Sequence, residues 1–290
     1  MSIDTTSHDI YRGTSGIELP KELSDEIFAK AIGESAVMRL AERIALPGRG
    51  LTIPVITGDP TVSIVNEAAE KPVSNSTFNY KNMVPKKFAV IELVSEEFRR
   101  DLPRLYDELV RRLPAAIAKA FDTQVLTQAG LTGFDSLYNV QSITEGATYA
   151  AKIANGIKAI AADGYRLNGY AASAAAEAEL ITSVDGNGRP LFMPSTADNS
   201  LGRVYGGEVV PCAAIGGLVA GDWSKCKYGI VDGINIKISD TATVNDGSAQ
   251  INLWQRNMLG LLVEAEIGFV CADTDAFFQI PAEGVTGTTA

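Results

Sequence analysis

Residues 94–130 read VSEEFRRDLPRLYDELVRRLPAAIAKAFDTQVLTQAG, and this stretch decides how the rest of the chain is organised. Its larger apolar residues recur at intervals of three and four, which places them on one face of an α-helix. These residues are Leu102, Leu105, Tyr106, Leu109, Leu113, Ile117, Phe121 and Val125. Asp101 can cap the first turn, and Pro103 suits an early helical position. The pattern predicts a helix from Pro103 to Gln128, which would be roughly 39 Å long.

Pro114 lies in the middle of this predicted helix. It has no N–H for the carbonyl of Val110, and its ring crowds the preceding turn. We therefore expect the helix to kink at Pro114 or to split into two. The pattern fits a core helix with an interruption, and it also fits a spine that carries flatter parts of the molecule on either side.

Composition limits the classes of protein. The chain has 290 residues, of which 46% are hydrophobic and 21% are charged, enough for one large or two modest globular domains. Its net charge of −10 argues against tight nucleic-acid binding. Three cysteines without a CxxC spacing favour buried thiols in a reducing compartment. We expect no secretion signal in the polar residues 1–20 and no membrane span.

The segment from Leu46 to Pro85 differs from its surroundings because glycines and prolines separate short β-prone pieces. The predicted strands are Leu51–Ile56, Thr61–Val65 and Thr77–Val84. Residues 67–79 are polar, and a segment with so few large apolar residues cannot form a core of its own. Such a long hairpin is either a mobile surface loop or lies on another molecule.

The other predicted elements alternate without a regular βαβ rhythm, so the fold class is α+β. Before the hairpin, residues 22–44 predict a helix, a break at Gly33 and a second short helix. After it, the patterns predict a strand over Lys87–Val94, helices over Tyr149–Ala162 and Ala174–Thr182, and strands over Gly169–Ala172, Tyr228–Ile238 and Ile251–Val270, the last interrupted near Asn257–Gly260. Glu264 and Glu266 alternate on one face of that last strand and are expected to pair with Lys or Arg of a neighbouring strand.

Motifs for catalysis or metal binding are not evident in the sequence. The single histidine, His8, lies in a polar region, and one histidine with three scattered cysteines does not form a zinc ligand set. There is no phosphate-binding GxxxxGK[ST], and the calcium-like run from Asp185 fails at Arg189 and Pro190. The sequence therefore predicts no catalytic residue, no cofactor and no metal.

An ordered set of segments resembles the major capsid proteins of tailed bacteriophages, whose architecture is the Hong Kong phage capsid fold, or Johnson fold. The resemblance begins with an apolar N-terminal helix, a long hairpin, and a strand ending in Leu-Val-Ser-Glu-Glu-Phe before a long helix. It continues through Gly188–Phe192, Gly221–Lys225, Tyr228–Ile230, Gly233–Ser239, Leu253–Asn257 and Glu264–Phe269. It extends from about Leu19 to Ile280.

This resemblance implies a division of the chain and a structural function. It implies an N-terminal arm (1–20), N-terminal helices (21–46), an extended loop (47–87) that overlies an adjacent subunit, a peripheral domain with the spine helix (88–130 and 240–282), an axial domain (131–239) around five- and six-fold vertices, and a tail (283–290). The protein would be a major capsid subunit that self-assembles into an icosahedral shell around double-stranded DNA.

Inter-subunit contacts are expected at charged residues of the loop and of the segment before the helix: Arg49, Glu67, Glu70, Lys71, Lys81, Glu96, Glu97, Arg99 and Arg100. The tryptophan that often precedes a glutamate in the family's loop is absent, since Ile64-Val-Asn-Glu67 occupies that place. Because the family's spine helix bends in the precursor shell, a kink at Pro114 could fix one geometry of the helix. Lys71 and Lys81 are the loop lysines available for a covalent cross-link, but no motif identifies their partners.

The expected partners are copies of the chain in hexamers and pentamers, a separate scaffolding protein, a portal protein, a decoration protein and packaged DNA held by weak non-specific contact, with no membrane. The expected location is the virion, with assembly in the host cytoplasm. Three alternatives stay open at this point: an encapsulin-type nanocompartment of the same fold, an enzyme of unrecognised class, and a surface adhesin or other β-rich binding module.

Overall fold

A computed structural model describes residues 33–58, 62, 64–65, 71, 73, 77–95, 102–184, 188–194, 202–231, 235–245 and 249–282. Within these ranges the helices are α1 (Ala36–Leu40), α2 (Leu102–Thr127), α3 (Tyr149–Ala162) and α4 (Ala174–Thr182). The strands are β1 (Glu42–Ala45), β2 (Leu51–Gly58), β3 (Thr77–Met83), β4 (Lys86–Ser95), β5 (Gln141–Ser142), β6 (Gly169–Ala172), β7 (Met193–Pro194), β8 (Gly202–Val204), β9 (Gly207–Pro211), β10 (Leu218–Gly221), β11 (Cys226–Ile230), β12 (Asn235–Ser239), β13 (Thr243–Asn245), β14 (Gln250–Asn252), β15 (Met258–Cys271) and β16 (Phe277–Ile280). Short 3₁₀ turns cover Trp223–Lys225 and Trp254–Arg256.

The 14-residue strand β15 is the centre of a five-stranded sheet. Along one edge it pairs antiparallel with β4, from Met258 opposite Ser95 to Ile267 opposite Lys86. Along its other edge it pairs first with β12 and then with β11, and β11 in turn pairs in parallel with β1. The strand is therefore hydrogen-bonded on both edges over most of its length.

Alternation along β15 separates a buried face from a charged one. Leu261, Val263, Ala265, Ile267 and Phe269 are buried on one face. On the opposite face the Lys87 ammonium lies 3.6 Å from a carboxylate oxygen of Glu264 and 3.6 Å from one of Glu266, and Lys237 lies 3.9 Å from Glu264. The predicted pairing of these two carboxylates with lysines of neighbouring strands is confirmed.

Helix α2 covers the buried face of this sheet with an aromatic cluster. Phe121 of α2 lies with its ring centroid 6.2 Å from that of Phe269, 6.3 Å from Phe134 and 6.0 Å from Phe88, mostly edge to face. Such contacts add roughly 0.5–1.5 kcal/mol each beyond their area burial. The predicted long helix is confirmed within one residue at each end.

The helix runs without interruption through position 114. The expected division into two helices at Pro114 is therefore wrong, and the kink at Pro114 stays a prediction. An interior proline costs a helix about 3 kcal/mol or more, so packing elsewhere along the helix must offset that cost. Here that packing is strong C-terminal to the proline, where Ile117, Phe121 and Val125 are buried.

A second sheet has the strand order β5-β16-β10-β6-β9-β8-β7. Helix α3 packs on it through Ile153 and Ile160, and the Phe278 ring occupies the space beside Gly156 that any larger side chain would need. The two sheets do not follow the domain bounds expected from the resemblance. β11 and β12 lie within 131–239 but pair with β15, whereas β16 lies within 240–282 but joins the second sheet. The domain division itself stays a prediction.

Three predicted elements differ in detail from the structure. The second N-terminal helix is α1, but the residues up to Ile44 form strand β1 because they pair with β11; the first N-terminal helix lies outside the described residues. The described positions of Thr61–Val65, namely 62, 64 and 65, are not in a strand. The interruption of the last strand lies slightly earlier than expected, at the 3₁₀ turn Trp254–Arg256 and at Asn257, which adopts a φ of 49°.

Asp122 of α2 binds the start of α1 from the middle of the core. Its carboxylate accepts hydrogen bonds from Ser35 Oγ at 2.5 Å, Ala36 N at 2.9 Å and Val37 N at 3.3 Å. These amides are among those that an α-helix leaves unpaired at its first turn. Burial raises the pKa of Asp122 to about 6, although the bonds from Ser35, Ala36 and Val37 offset part of that cost.

A raised carboxyl pKa gives a defined pH dependence. The pKa of Asp122 is about 6 in the folded chain against an ordinary value of 3.8, so folding favours the protonated carboxyl. The stabilisation that protonated Asp122 gives the folded chain is therefore full below pH 3.8 and is lost as the pH rises through 6. The quantity to compare is the free energy of unfolding of the unassembled wild-type chain minus that of the Asp122→Asn variant. We expect this difference to fall by roughly 2 kcal/mol between pH 4 and pH 7, because the substituted asparagine does not titrate. Urea denaturation at several pH values measures it. The exposed Asp240→Asn variant should follow the wild type, and parallel profiles for wild type and Asp122→Asn would contradict this assignment.

Candidate assembly surface on the β2–β3 hairpin

The β2–β3 hairpin is a two-stranded ribbon whose two faces differ. Leu51 lies opposite Met83, Ile53 opposite Lys81 and Val55 opposite Asn79. Side chains of successive residues in a strand point to opposite faces, so these positions share one face, and Phe78, Tyr80 and Asn82 share the other. We call the first the inner face and the second the outer face of the hairpin.

The inner face holds the base of the hairpin to the rest of the chain. Met83 is fully buried and packs with Leu46 and Val270 of β15, with Leu51 and Ile53 alongside. Just beyond β3, the Val84 amide donates a hydrogen bond to the Gly133 carbonyl at 2.6 Å. The base is therefore fixed on the five-stranded sheet.

Lys81 adds an electrostatic contact to this base. Its ammonium donates to Asp135 Oδ2 at 3.2 Å and to the Cys271 carbonyl at 2.5 Å. The same Asp135 oxygen accepts the Cys271 amide at 3.1 Å. One carboxylate thus joins the hairpin, the end of β15 and the loop that follows α2.

The outer face carries aromatic side chains that remain exposed among the described residues. Phe78 is 61% exposed and Tyr80 is 67% exposed, although an aromatic side chain contributes most when it is buried. Beyond the strands, Val62, Ile64 and Val73 are almost fully exposed. Exposed apolar groups that cluster on one element indicate an interaction surface, whereas single scattered ones do not.

A second group of exposed apolar residues lies on β4, the edge strand that follows the hairpin. Val90 is 47% exposed and Ile91 is 49% exposed, on opposite faces of the strand. β11 and β12 pair with the other edge of β15, so β4 is an edge strand of this sheet within the described residues. Exposed apolar side chains therefore occur on β4 as well as on the hairpin.

The structure describes only some of the predicted contact residues. Arg49 is exposed in the turn before β2, and Lys71 is exposed in the loop. The contacts of Lys81 are within its own chain, so its inter-subunit role stays a prediction without support from these bonds. Glu67, Glu70, Glu96, Glu97, Arg99 and Arg100 lie outside the described residues.

Sequence reasoning emphasised the charges of the hairpin and overlooked Phe78 and Tyr80. The signal was present as aromatic residues at alternate positions, Phe78 and Tyr80, each followed by a polar residue, which is the pattern of a strand with one apolar face. Residues 67–76 between the two strands are mostly polar, whereas strand β3 carries the aromatic residues Phe78 and Tyr80. The expectation that the hairpin is either a mobile loop or lies on another molecule is wrong for its base, because Met83 anchors the base in its own chain.

The described residues contain no cluster of three or more His, Cys, Asp or Glu that could hold a metal ion. No helix among them is long and apolar enough to cross a membrane.

A family model described as the phage capsid family matches residues 15–280. The chain belongs to the phage capsid family. It is 30% identical over 288 residues to a protein of Mycobacterium phage D29 named "probable major capsid protein", and the match covers 90% of this chain and 89% of that protein.

Solved structures share the fold. A chain from Mycobacterium phage Ogopogo superposes with a TM-score of 0.68 at 18% identity and covers 94% of each chain. A chain from Microbacterium phage Oxtober96 gives a TM-score of 0.66 at 21% identity, covering 98% of this chain and 96% of the other. The phage capsid fold and the α+β class predicted from the sequence are confirmed.

Lys81 supplies a direct test of how the hairpin base is held. Lys81→Met removes the ammonium but keeps an apolar stem of similar length, so Asp135 loses its charged partner. Because both groups are about one-third exposed, we expect a loss of only about 1 kcal/mol, a roughly fivefold rise in the opening equilibrium of β3.

Hydrogen exchange of the β3 amides in the unassembled chain measures this opening. Lys71→Met, at an exposed lysine of the same loop, is the matched control and should exchange like the wild type. Unchanged exchange in Lys81→Met would show that the Met83 packing and the Val84–Gly133 hydrogen bond hold the base without Lys81.

Proposed function

We propose that the chain is the major capsid subunit of a tailed phage and that its copies assemble into a closed icosahedral shell around double-stranded DNA. Membership of the phage capsid family makes it a structural component of a virion capsid. The observation that carries the assembly step is the outer face of the hairpin, where Phe78 and Tyr80 stay exposed although the base is fixed. A second copy of the chain is the occupant that this surface fits.

The physical case for a second copy begins with the energy of burial. Fully burying a side chain of this size stabilises a complex by about 1.5–3 kcal/mol relative to leaving it in water. One such contact per copy is modest, but a closed shell repeats it at every copy with the same symmetry-related partner. Modest repeated contacts allow wrongly placed subunits to dissociate before the shell closes.

The hairpin also presents unpaired strand edges. Within the described residues β2 and β3 pair only with each other, so each has one edge whose backbone N–H and C=O groups are free for a partner. Exposed edges with aromatic side chains favour association in an isolated chain. Covering them in an ordered assembly removes that liability, which supports a hairpin that lies across a neighbouring subunit.

The sheets support an assignment of the predicted domains. The five-stranded sheet with α2, from which the hairpin projects, corresponds to the peripheral domain, and the seven-stranded sheet with α3 and α4 to the axial domain around the vertices. On this assignment β11 and β12 belong with the peripheral part and β16 with the axial part. Hexamers and pentamers, assembly in the host cytoplasm, and scaffolding, portal and decoration proteins as partners belong to the same proposal.

The acidic composition is compatible with enclosed DNA. A net charge of −10 per copy limits adhesion of the wall to phosphate groups, so packaged DNA would contact it weakly and non-specifically. An encapsulin-type compartment of the same fold is not favoured, because the relatives that match over most of the chain are named capsid proteins of phages.

Substituting both outer-face aromatics tests the proposed contact. We expect Phe78→Ser with Tyr80→Ser to leave the chain folded and soluble, since both side chains are exposed, but to prevent closed particles. The variant is expressed in cells together with the neighbouring genes and then purified. Circular dichroism checks its fold, and sedimentation with negative-stain electron microscopy checks its assembly.

The matched control exchanges the two aromatics without removing apolar area, as Phe78→Tyr with Tyr80→Phe, and should assemble. Normal shells from the doubly substituted serine variant would contradict the role of this face.

A further inference from the structure

Two cysteines face each other across neighbouring strands at one end of the five-stranded sheet. Cys226 is the first residue of β11 and Cys271 is the last of β15, and the antiparallel register places them directly opposite each other. The Ala272 amide donates to the Lys225 carbonyl at 2.8 Å, immediately outside this pair. That bond identifies Cys226 and Cys271 as a non-hydrogen-bonded pair, the kind in which opposite Cα atoms approach most closely.

The spacing of such a pair suits a disulfide. Opposite Cα atoms in a non-hydrogen-bonded pair lie about 4.5 Å apart, and disulfides join Cα atoms that are roughly 4.4–6.8 Å apart. Both cysteines are free and fully buried. Cys271 Sγ donates to the Asp273 carbonyl at 3.1 Å.

We propose that Cys226 and Cys271 are a latent cross-strand disulfide, reduced under reducing conditions and closed by small thiol oxidants. The third cysteine, Cys212, is excluded from it by position. Its Sγ lies 3.8 Å from Asp122 Oδ2, in the contact between α2 and the loop after β9.

The chemistry balances with a low-molecular-weight disulfide as the oxidant. One cysteine thiolate attacks that disulfide, forms a mixed disulfide and releases one small thiol. The second cysteine thiolate then attacks the protein sulfur of the mixed disulfide, which forms the Cys226–Cys271 bond and releases the second small thiol. The protein loses two hydrogens and two electrons, and the small disulfide becomes two thiols.

The environment of the two thiols slows thiol–disulfide exchange but does not prevent it. Burial, with the bond to Cys271 and the carboxylates of Asp135 and Asp222 nearby, raises the pKa of Cys226 well above its usual value, so the reactive thiolate is scarce at neutral pH. An oxidant reaches the sulfurs only when the strand ends open. Both cysteines lie at strand ends, where such opening is least costly.

Closing the bond would act on the base of the hairpin. The Cys271 carbonyl accepts from Lys81, and the Cys271 amide donates to Asp135. A covalent link from Cys271 to β11 would therefore fix the backbone to which Lys81 and Asp135 are bonded. The Cys226–Cys271 pair is thus a modification site in contact with Lys81, which lies in the same strand as Phe78 and Tyr80.

Thiol counting and peptide mapping test the proposal on the full wild-type chain. The protein is incubated with oxidised glutathione, or with the diazene oxidant diamide, then denatured and alkylated with N-ethylmaleimide. We expect the number of alkylated cysteines to fall from three to one, with an intact mass lower by two hydrogens before alkylation. A Cys226–Cys271 linked peptide that disappears after reduction identifies the bond.

Cys212→Ser is the matched control and should fall from two alkylated cysteines to none, whether or not it assembles. Three alkylated cysteines after oxidation, a linked peptide that contains Cys212, or a disulfide only between two chains would each overturn the proposal. The measurement needs no variant of Cys226 or Cys271, so it does not depend on how those variants fold.

Discussion

The pairing of β15 on both of its edges is the constraint on which the rest of the structure depends. This strand joins β4 to β12 and β11, so segments separated by more than a hundred residues become neighbours in one sheet. Helix α2 packs on its buried face, where Phe121 contacts Phe269. The hairpin binds its last residue through the hydrogen bond from Lys81 to the Cys271 carbonyl. On the other face of β15, Lys87 and Lys237 pair with the carboxylates of Glu264 and Glu266, while Met83 and Leu46 cover Val270.

The same constraint explains why the hairpin is exposed on one face only. Its inner face is occupied at the base by Met83 on the sheet and by Lys81 at the end of β15. Among the described residues no third layer covers the outer face of this two-stranded ribbon, so Phe78 and Tyr80 remain exposed there. In a member of the phage capsid family, a neighbouring copy supplies that cover most simply, and no catalytic chemistry is required of the subunit.

Features that depend on local spacing could be predicted from the sequence. The apolar repeat of α2 and the β-prone apolar run of residues 88–94 in β4 are properties of consecutive residues, and both elements appear where the pattern indicates. The capsid fold came from a resemblance spread over many weak segments, not from any one of them. Contacts between distant residues could not be predicted, because nothing in the sequence near Asp122 indicates Ser35, and nothing near Cys226 indicates Cys271. The role of Lys81 was missed for the same reason, since its partners lie 54 and 190 residues away.

Electron cryo-microscopy of closed particles of this chain tests most directly whether the outer face of the hairpin is an interface between copies. We expect density in which the Phe78 and Tyr80 side chains lie in van der Waals contact with a second copy, while Met83 and Lys81 keep the intrachain contacts described above. Particles in which Phe78 and Tyr80 face solvent, or fold back onto their own chain, would contradict this expectation.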